Sequence, residues 1–270
     1  MGRITNQKIA VDLNLLDSDK ILIMNGSKLA TIFRKELLLI YHKRKFREKE
    51  EKNIKQKLLD YQVKYSYEFP GLTIATASFD GSISSLSGHL ADKYEVILIV
   101  SDSNNFKKLS NTVFRSPVPF IFINQEAGVS SYRKIIFPVD IRKGNIDAAI
   151  WSSYFGRFNS AETDMLAANQ KGVYEKKQVA QNIMIAKKLM EKFNVRHKII
   201  KGRKSSLFIA YEAFELSKSS VYDLFIMTGS SAITPLDRLI GLPEKKIIAR
   251  ARNIPVMLIN SKLDNYHLCD

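Results

Sequence analysis

The chain has 270 residues, 45% of them hydrophobic and 26% charged, with a formal net charge of +15. Such a balance predicts a globular protein of one large or two ordinary domains, and the absence of any apolar run of membrane-span length excludes a crossing helix. The surplus of cations attracts anions: nucleotides, nucleic acid, acidic proteins or anionic lipid.

In chain order, the opening MGRITNQKIAVD lacks the apolar segment of a secretory signal. Its last five residues, Lys8 to Asp12, read as a short buried strand with an acid at its C-terminal edge. Asp17 is predicted to cap a helix running to Phe33, and Glu36 to Tyr41 form the next strand. Residues 43–57 concentrate mixed charge, and Ile54, Leu58 and Tyr61 recur at helical spacing, which predicts an amphipathic helix with a solvated face. In Gly81-Ser-Ile-Ser-Ser-Leu-Ser-Gly-His89, Ser85 and His89 stand one helical turn apart, but the segment lacks the nucleophile-elbow pattern, so its serines are read as caps. Apolar strands follow at 95–101 and 119–124, joined at the first by the glycine-free turn Asp102-Ser103-Asn104-Asn105. Residues 125–131 read as a linker between a first domain, 1–125, and a second, 131–262.

The second half repeats the first. Lys134-Ile-Ile-Phe-Pro-Val139 again ends in Val-Asp at Asp140, 128 positions after Asp12; Glu95 and Asp223 share that offset. Pro119 and Pro255, like Asn124 and Asn260, lie 136 apart, so the second copy has gained eight residues between its fourth and last strands. Helices are predicted from Asn145 to Phe158, with Trp151 as a packing residue, and from Glu175 to Phe193, with Val179, Ile183, Ala186, Leu189 and Phe193 on one face. Two more run from Ser206 to Lys218 and from Pro243 to Arg252, the last opening on a proline at its first turn. Alternating strands and helices imply parallel sheets with helices on both faces, and ligands outside the strand C-termini where strand order reverses. Asp140 and the loop after Met227 are expected to meet there. Neither Asp12 nor Asp140 shows a partner carboxylate or histidine in the sequence, which argues against a general base. His267 and Cys269 in the last residues are too few for a zinc site; a single cysteine also precludes an intramolecular disulfide and fits a reducing cytoplasm.

KIIFPVD, DLFIMTG, EKKIIARA and IPVMLIN, in this order and spacing, resemble a tandem universal stress protein over nearly the whole chain. The resemblance implies two Rossmann-like doubly wound α/β domains. Each would have a five-stranded parallel sheet of order 3-2-1-4-5, and the two would pair through their last strands as an internal pseudo-dimer. It also implies that nucleotide-binding members hold phosphates on the amides of a G-x2-G-x9-G-[ST] loop, with the acid ending the first strand near the adenosine. Here Thr228 stands at the first glycine, Ser231 at the second, Gly241 at the third and Leu242 at the Ser/Thr. Placing Gly229 first instead puts Ala232 at the second position and breaks the spacing to Gly241.

A glycine is needed where backbone must approach a phosphate, so these losses weaken the grip. The nucleotide or anion site, if used, is expected at Val139, Asp140, Thr228, Gly229, Ser230, Ser231 and Gly241. The resulting expectation is a cytoplasmic stress-response binding or regulatory module rather than a catalyst. No cofactor or metal is expected, ATP being an option only at the second domain. A homo-oligomer and an unidentified protein or anionic partner are compatible with this reading; a membrane is not expected as a partner. Two alternatives stand beside it: an ATP-binding, slowly hydrolysing member using the second domain, and a nucleic-acid binder using the basic segment 43–57.

Overall fold

A computed structural model describes residues 6–43, 45, 47–81, 83–142, 144–219, 221–229 and 242–260. Ser230, Ser231 and Gly241 of the expected loop, and His267 and Cys269 of the tail, lie outside the described residues. The chain forms two compact units whose boundary in sequence falls between Val129 and Ser130.

The first unit runs β1 (Lys8–Asp12), α1 (Asp19–Phe33), β2 (Glu36–Lys43), α2 (Glu48–Glu68), β3 (Ile74–Asp80), α3 (Ile83–Tyr94), β4 (Val96–Asp102), α4 (Phe106–Val113) and β5 (Phe120–Ile123). All its pairings are parallel: β1 lies between β2 and β4, with β3 beyond β2 and β5 beyond β4. The order is therefore β3-β2-β1-β4-β5. Strand order reverses direction at β1 and β4, so right-handed crossovers place helices on both faces. The central strands are accordingly apolar throughout, with Ile9, Ala10, Val11, Leu98, Ile99 and Val100 fully buried.

Asp17 is not the cap of α1. The helix starts at Asp19 behind Ser18, which makes no side-chain cap bond. The buried Asp19 carboxylate instead accepts hydrogen bonds from the backbone N–H groups of Asn14 (3.0 Å) and Leu16 (3.2 Å), fixing the loop that enters the helix. Burial pushes its carboxyl up from the ordinary range, against the pull of those bonds. Helix α2 is amphipathic: Ile54 and Leu58 are buried as their spacing predicts, whereas Tyr61 is only half-buried and Tyr65, one turn on, is buried in its place. On the outer side Lys55 pairs with Glu51 at 2.6 Å and Lys43 pairs with Glu50. His89 on α3 packs edge-on against Phe79, ring centroids 6.0 Å apart, and beside Tyr94; it is an aromatic packing residue.

The second unit runs β6 (Lys134–Val139), α5 (Asn145–Asn159), β7 (Glu162–Ala167), α6 (Val173–Lys192), β8 (His197–Lys201), α7 (Ile209–Ser217), β9 (Leu224–Thr228), α8 (Pro243–Arg250) and β10 (Val256–Ile259). Its parallel pairings give β8-β7-β6-β9-β10, the same 3-2-1-4-5 order. The repeat read in the sequence is visible in the strands. Val96 and Leu224 open β4 and β9 at the 128 offset, and β5 and β10 coincide end to end at the 136 offset. The extra residues thus lie between β9 and β10. Trp151 is 1% exposed and meets Tyr154 edge-on at 5.5 Å, a packing role. Asp223, before β9, accepts from the backbone N–H groups of Arg133 and Lys134, each at 2.9 Å, and so fixes where β6 begins.

Candidate functional site at the strand C-termini

In the second unit β6 delivers Val139 and Asp140 to the C-terminal edge, both fully buried. A buried carboxylate needs compensating charge and donors. Two residues on, Arg142 supplies both. Its backbone N–H donates to Asp140 Oδ1 at 2.7 Å, its Nε donates to Oδ2 at 2.7 Å, and Nη2 lies 2.6 Å from Oδ2. Asn145, at the start of α5, donates to Oδ1 at 3.0 Å. A carboxylate offers about four lone-pair sites, and these contacts use them.

The turn carrying Arg142 is itself fixed. Asn145 Nδ2 donates to the Asp140 carbonyl at 2.9 Å, and Asn182 on α6 donates to the Asp140 and Arg142 carbonyls at 2.7 and 3.0 Å. Ser206 Oγ accepts from the Ile141 N–H at 3.3 Å and also from Gln170. Arg142 Nη1 then reaches the carbonyl of Thr228 at 3.3 Å, so Asp140 and the end of β9 do meet, through a guanidinium. The Arg142 side chain is 35% exposed and Asp140 is buried beneath it, so this edge presents to solvent the outer side of a closed ion pair rather than an acid.

The start of the loop is committed elsewhere. Gly229 donates its N–H to the Ile259 carbonyl on β10 at 2.8 Å, which removes that amide from phosphate binding. Where the loop rejoins structure, Leu242 precedes α8 with no side-chain cap, Pro243 occupies the first turn, and Glu244 in the same turn is fully buried. A carboxylate at a helix start interacts with the positive end of the helix dipole that would otherwise attract a phosphate. A cavity of about 580 Å³ lined by Lys204, Phe208, Tyr211, Glu212, Lys246 and Arg250 lies at α7 and α8; none of Val139, Asp140, Thr228 or Gly229 lines it.

The first unit handles its equivalent acid differently. Asp12, 2% exposed, accepts from Ser101 Oγ at 2.9 Å, and His42 Nε2 stands 3.3 Å from its other oxygen. Asp12 therefore does have a histidine neighbour, contrary to the sequence expectation. Burial opposes protonation of His42, but the Asp12 carboxylate and the Gly81 backbone outweigh it and hold the imidazole pKa above its ordinary value. The trio is not a catalytic triad, because the serine and the histidine both face the carboxylate and not each other. Beyond β4 the chain makes a tight turn: Asp102 accepts from the Asn104 N–H at 2.8 Å and from Gln125 at 2.7 Å, leaving a single helical turn, Ser103–Asn105, before α4.

Arg142, Asn145, Asn182 and His42 are the residues that sequence reasoning missed. Their partners follow from strand register and helix packing. For His42 that register sets Asp12 opposite Ile40 in the parallel β1–β2 pair, which brings the end of β2 beside the acid.

Two doubly wound α/β units of order 3-2-1-4-5, with an acid ending each first strand, define a Rossmann-like architecture of the universal stress protein type. The chain is similar over 95% of its length to 97% of a universal stress protein from Archaeoglobus fulgidus, with 10% identity and a TM-score of 0.67. It is likewise similar to a protein of unknown function from Pseudomonas aeruginosa PAO1, with 13% identity, a TM-score of 0.60, and coverage of 96% of this chain and 93% of that one. No protein-family model and no curated protein matches the sequence.

Proposed function

We propose that the chain is a stress-response binding or regulatory protein of the universal stress type, working in the cytoplasm without catalysis, in which nucleotide binding is weak or lost. In this reading the second unit carries the residual anion site and the first serves as a scaffold. The observation that carries the reading is the saturation of Asp140 by Arg142 and Asn145. The engagement of Gly229 by Ile259 supports it. A nucleotide would have to displace the guanidinium before reaching the acid, and leaving a buried carboxylate without its partner costs about 3–5 kcal/mol.

Calorimetric titration with ATP and Mg²⁺ tests this. Absent or weak heats are expected; sub-micromolar binding, or nucleotide carried through purification, overturns it in favour of an ATP-binding member using Asp140, Gly229 and Gly241. The nucleic-acid reading based on segment 43–57 draws less support, since Lys43 and Lys55 are neutralised by glutamates on α2 itself.

A further inference from the structure

The net charge is concentrated away from segment 43–57. Residues 171–204 hold eleven lysines and arginines against two glutamates, nine of the fifteen net positive charges. In the second unit this stretch folds as α6 and the edge strand β8. Among the described residues two of the eleven cations have a salt bridge, Lys187 to Glu191 at 3.5 Å and Arg196 to Glu162 at 2.8 Å.

Helix α6 buries Val179, Asn182, Ala186 and Met190 against the unit. Its outer side leaves large apolar groups in solvent: Val173 is 84% exposed, Tyr174 69%, Met184 52% and Ile185 45%. Lys177 follows Tyr174 by three positions, Lys188 follows Met184 by four, and Lys192 follows Lys188 by four, so apolar and cationic side chains share one exposed face. Beside it β8 exposes Lys198, Ile199 and Lys201.

We propose that the outer face of α6 and the β8 edge form a docking surface for an anionic lipid bilayer. Lysine ammonium groups meet lipid phosphates, while Val173, Tyr174 and Met184 enter the boundary between headgroups and acyl chains. Nucleic acid is the lesser fit on two grounds. Its interfaces are polar and would leave the aliphatic groups unmatched, and nine of the eleven cations are lysines rather than the arginines that read bases by bidentate bonds. No helix among the described residues is long and apolar enough to cross a membrane, so the contact is with the surface alone.

The test is flotation of the full chain with phosphatidylcholine vesicles, with and without phosphatidylglycerol. The chain is expected to float with the anionic vesicles only and to be released in part, not wholly, by added salt, which screens the lysines but not the inserted apolar groups. Lys177→Ala with Lys188→Ala is expected to lower partitioning about 25-fold, at about five-fold per lysine near the surface. Tyr174→Ser with Met184→Ser is expected to remove the part of binding that survives salt. The proposal is overturned if no flotation occurs, if both double variants float like the parent, or if a single-stranded RNA strips the chain from vesicles and the lysine variant loses RNA binding to the same degree.

Discussion

Asp140 and Arg142 occupy a pair in which the two partners are not equally exposed, and that asymmetry sets what substitution does. Arg142→Ala leaves a fully buried carboxylate with the Arg142 backbone N–H and Asn145 as its donors. Asp140→Ala leaves a guanidinium already 35% exposed that can turn to water. Removing one partner of a buried pair costs about 3–5 kcal/mol. Arg142→Ala is expected in that range and Asp140→Ala below it, as measured by urea denaturation. Equal losses would mean that the guanidinium is held as tightly as the acid. His42 yields a prediction in pH. Its folded pKa lies above the ordinary 6.5, so its contribution to stability is fully present below 6.5 and is lost as pH rises through the folded value. Melting temperature measured upward from pH 6.5 should therefore fall in the parent relative to His42→Gln. A parallel course of the two curves would remove His42 as the titrating group.

The elements carry the repeat, and the closeness of their packing is measurable at Gly26. A Cβ built there would stand 2.3 Å from Val11 Cγ2 and 3.3 Å from Leu37 Cδ1, so α1 lies directly on β1 and β2. Alanine favours a helix over glycine by about 1 kcal/mol, but overpacking a filled core costs about 1–3 kcal/mol. Val11 is β-branched, stiff and fully buried, so the clash wins. Gly26→Ala is expected to lose about 1 kcal/mol or more in chemical denaturation, and a gain would mean the helix can lift from the sheet. The same packing explains what the sequence could reveal. Central parallel strands such as β1, β4, β6 and β9 are continuous apolar runs because both faces are covered. Edge strands are less legible: β8 reads His-Lys-Ile-Ile-Lys and is exposed at three of its five residues. The acids ending β1 and β6 stood out as polar residues closing apolar runs, whereas Asn182 reaches the Asp140 turn from a helix more than forty residues away. Spacing within one element locates an acid; which donors surround it depends on how separate elements pack.

Across the whole molecule, electrostatics sets one further expectation. With 42 lysines and arginines against 27 acids, like-charge repulsion acts against the compact state, most strongly in residues 171–204. Added salt has two opposed effects. It weakens exposed pairs such as Lys55–Glu51, each worth about 0–1 kcal/mol, and it screens repulsion among cations that outnumber the acids 42 to 27. The screening length falls from about 30 Å at 0.01 M to about 8 Å at physiological ionic strength, so repulsion across a domain is removed while partly buried pairs such as Asp140–Arg142 are little affected. Relief of repulsion outweighs the weakened surface pairs, and melting temperature is expected to rise with sodium chloride over this range. Replacing Lys177, Lys188 and Lys198 by glutamate removes much of the local surplus, so that variant should melt higher than the parent at low salt and gain less from added salt. A parent whose melting temperature falls with salt, or a variant with an unchanged salt slope, would place the controlling charges outside the α6 and β8 surface.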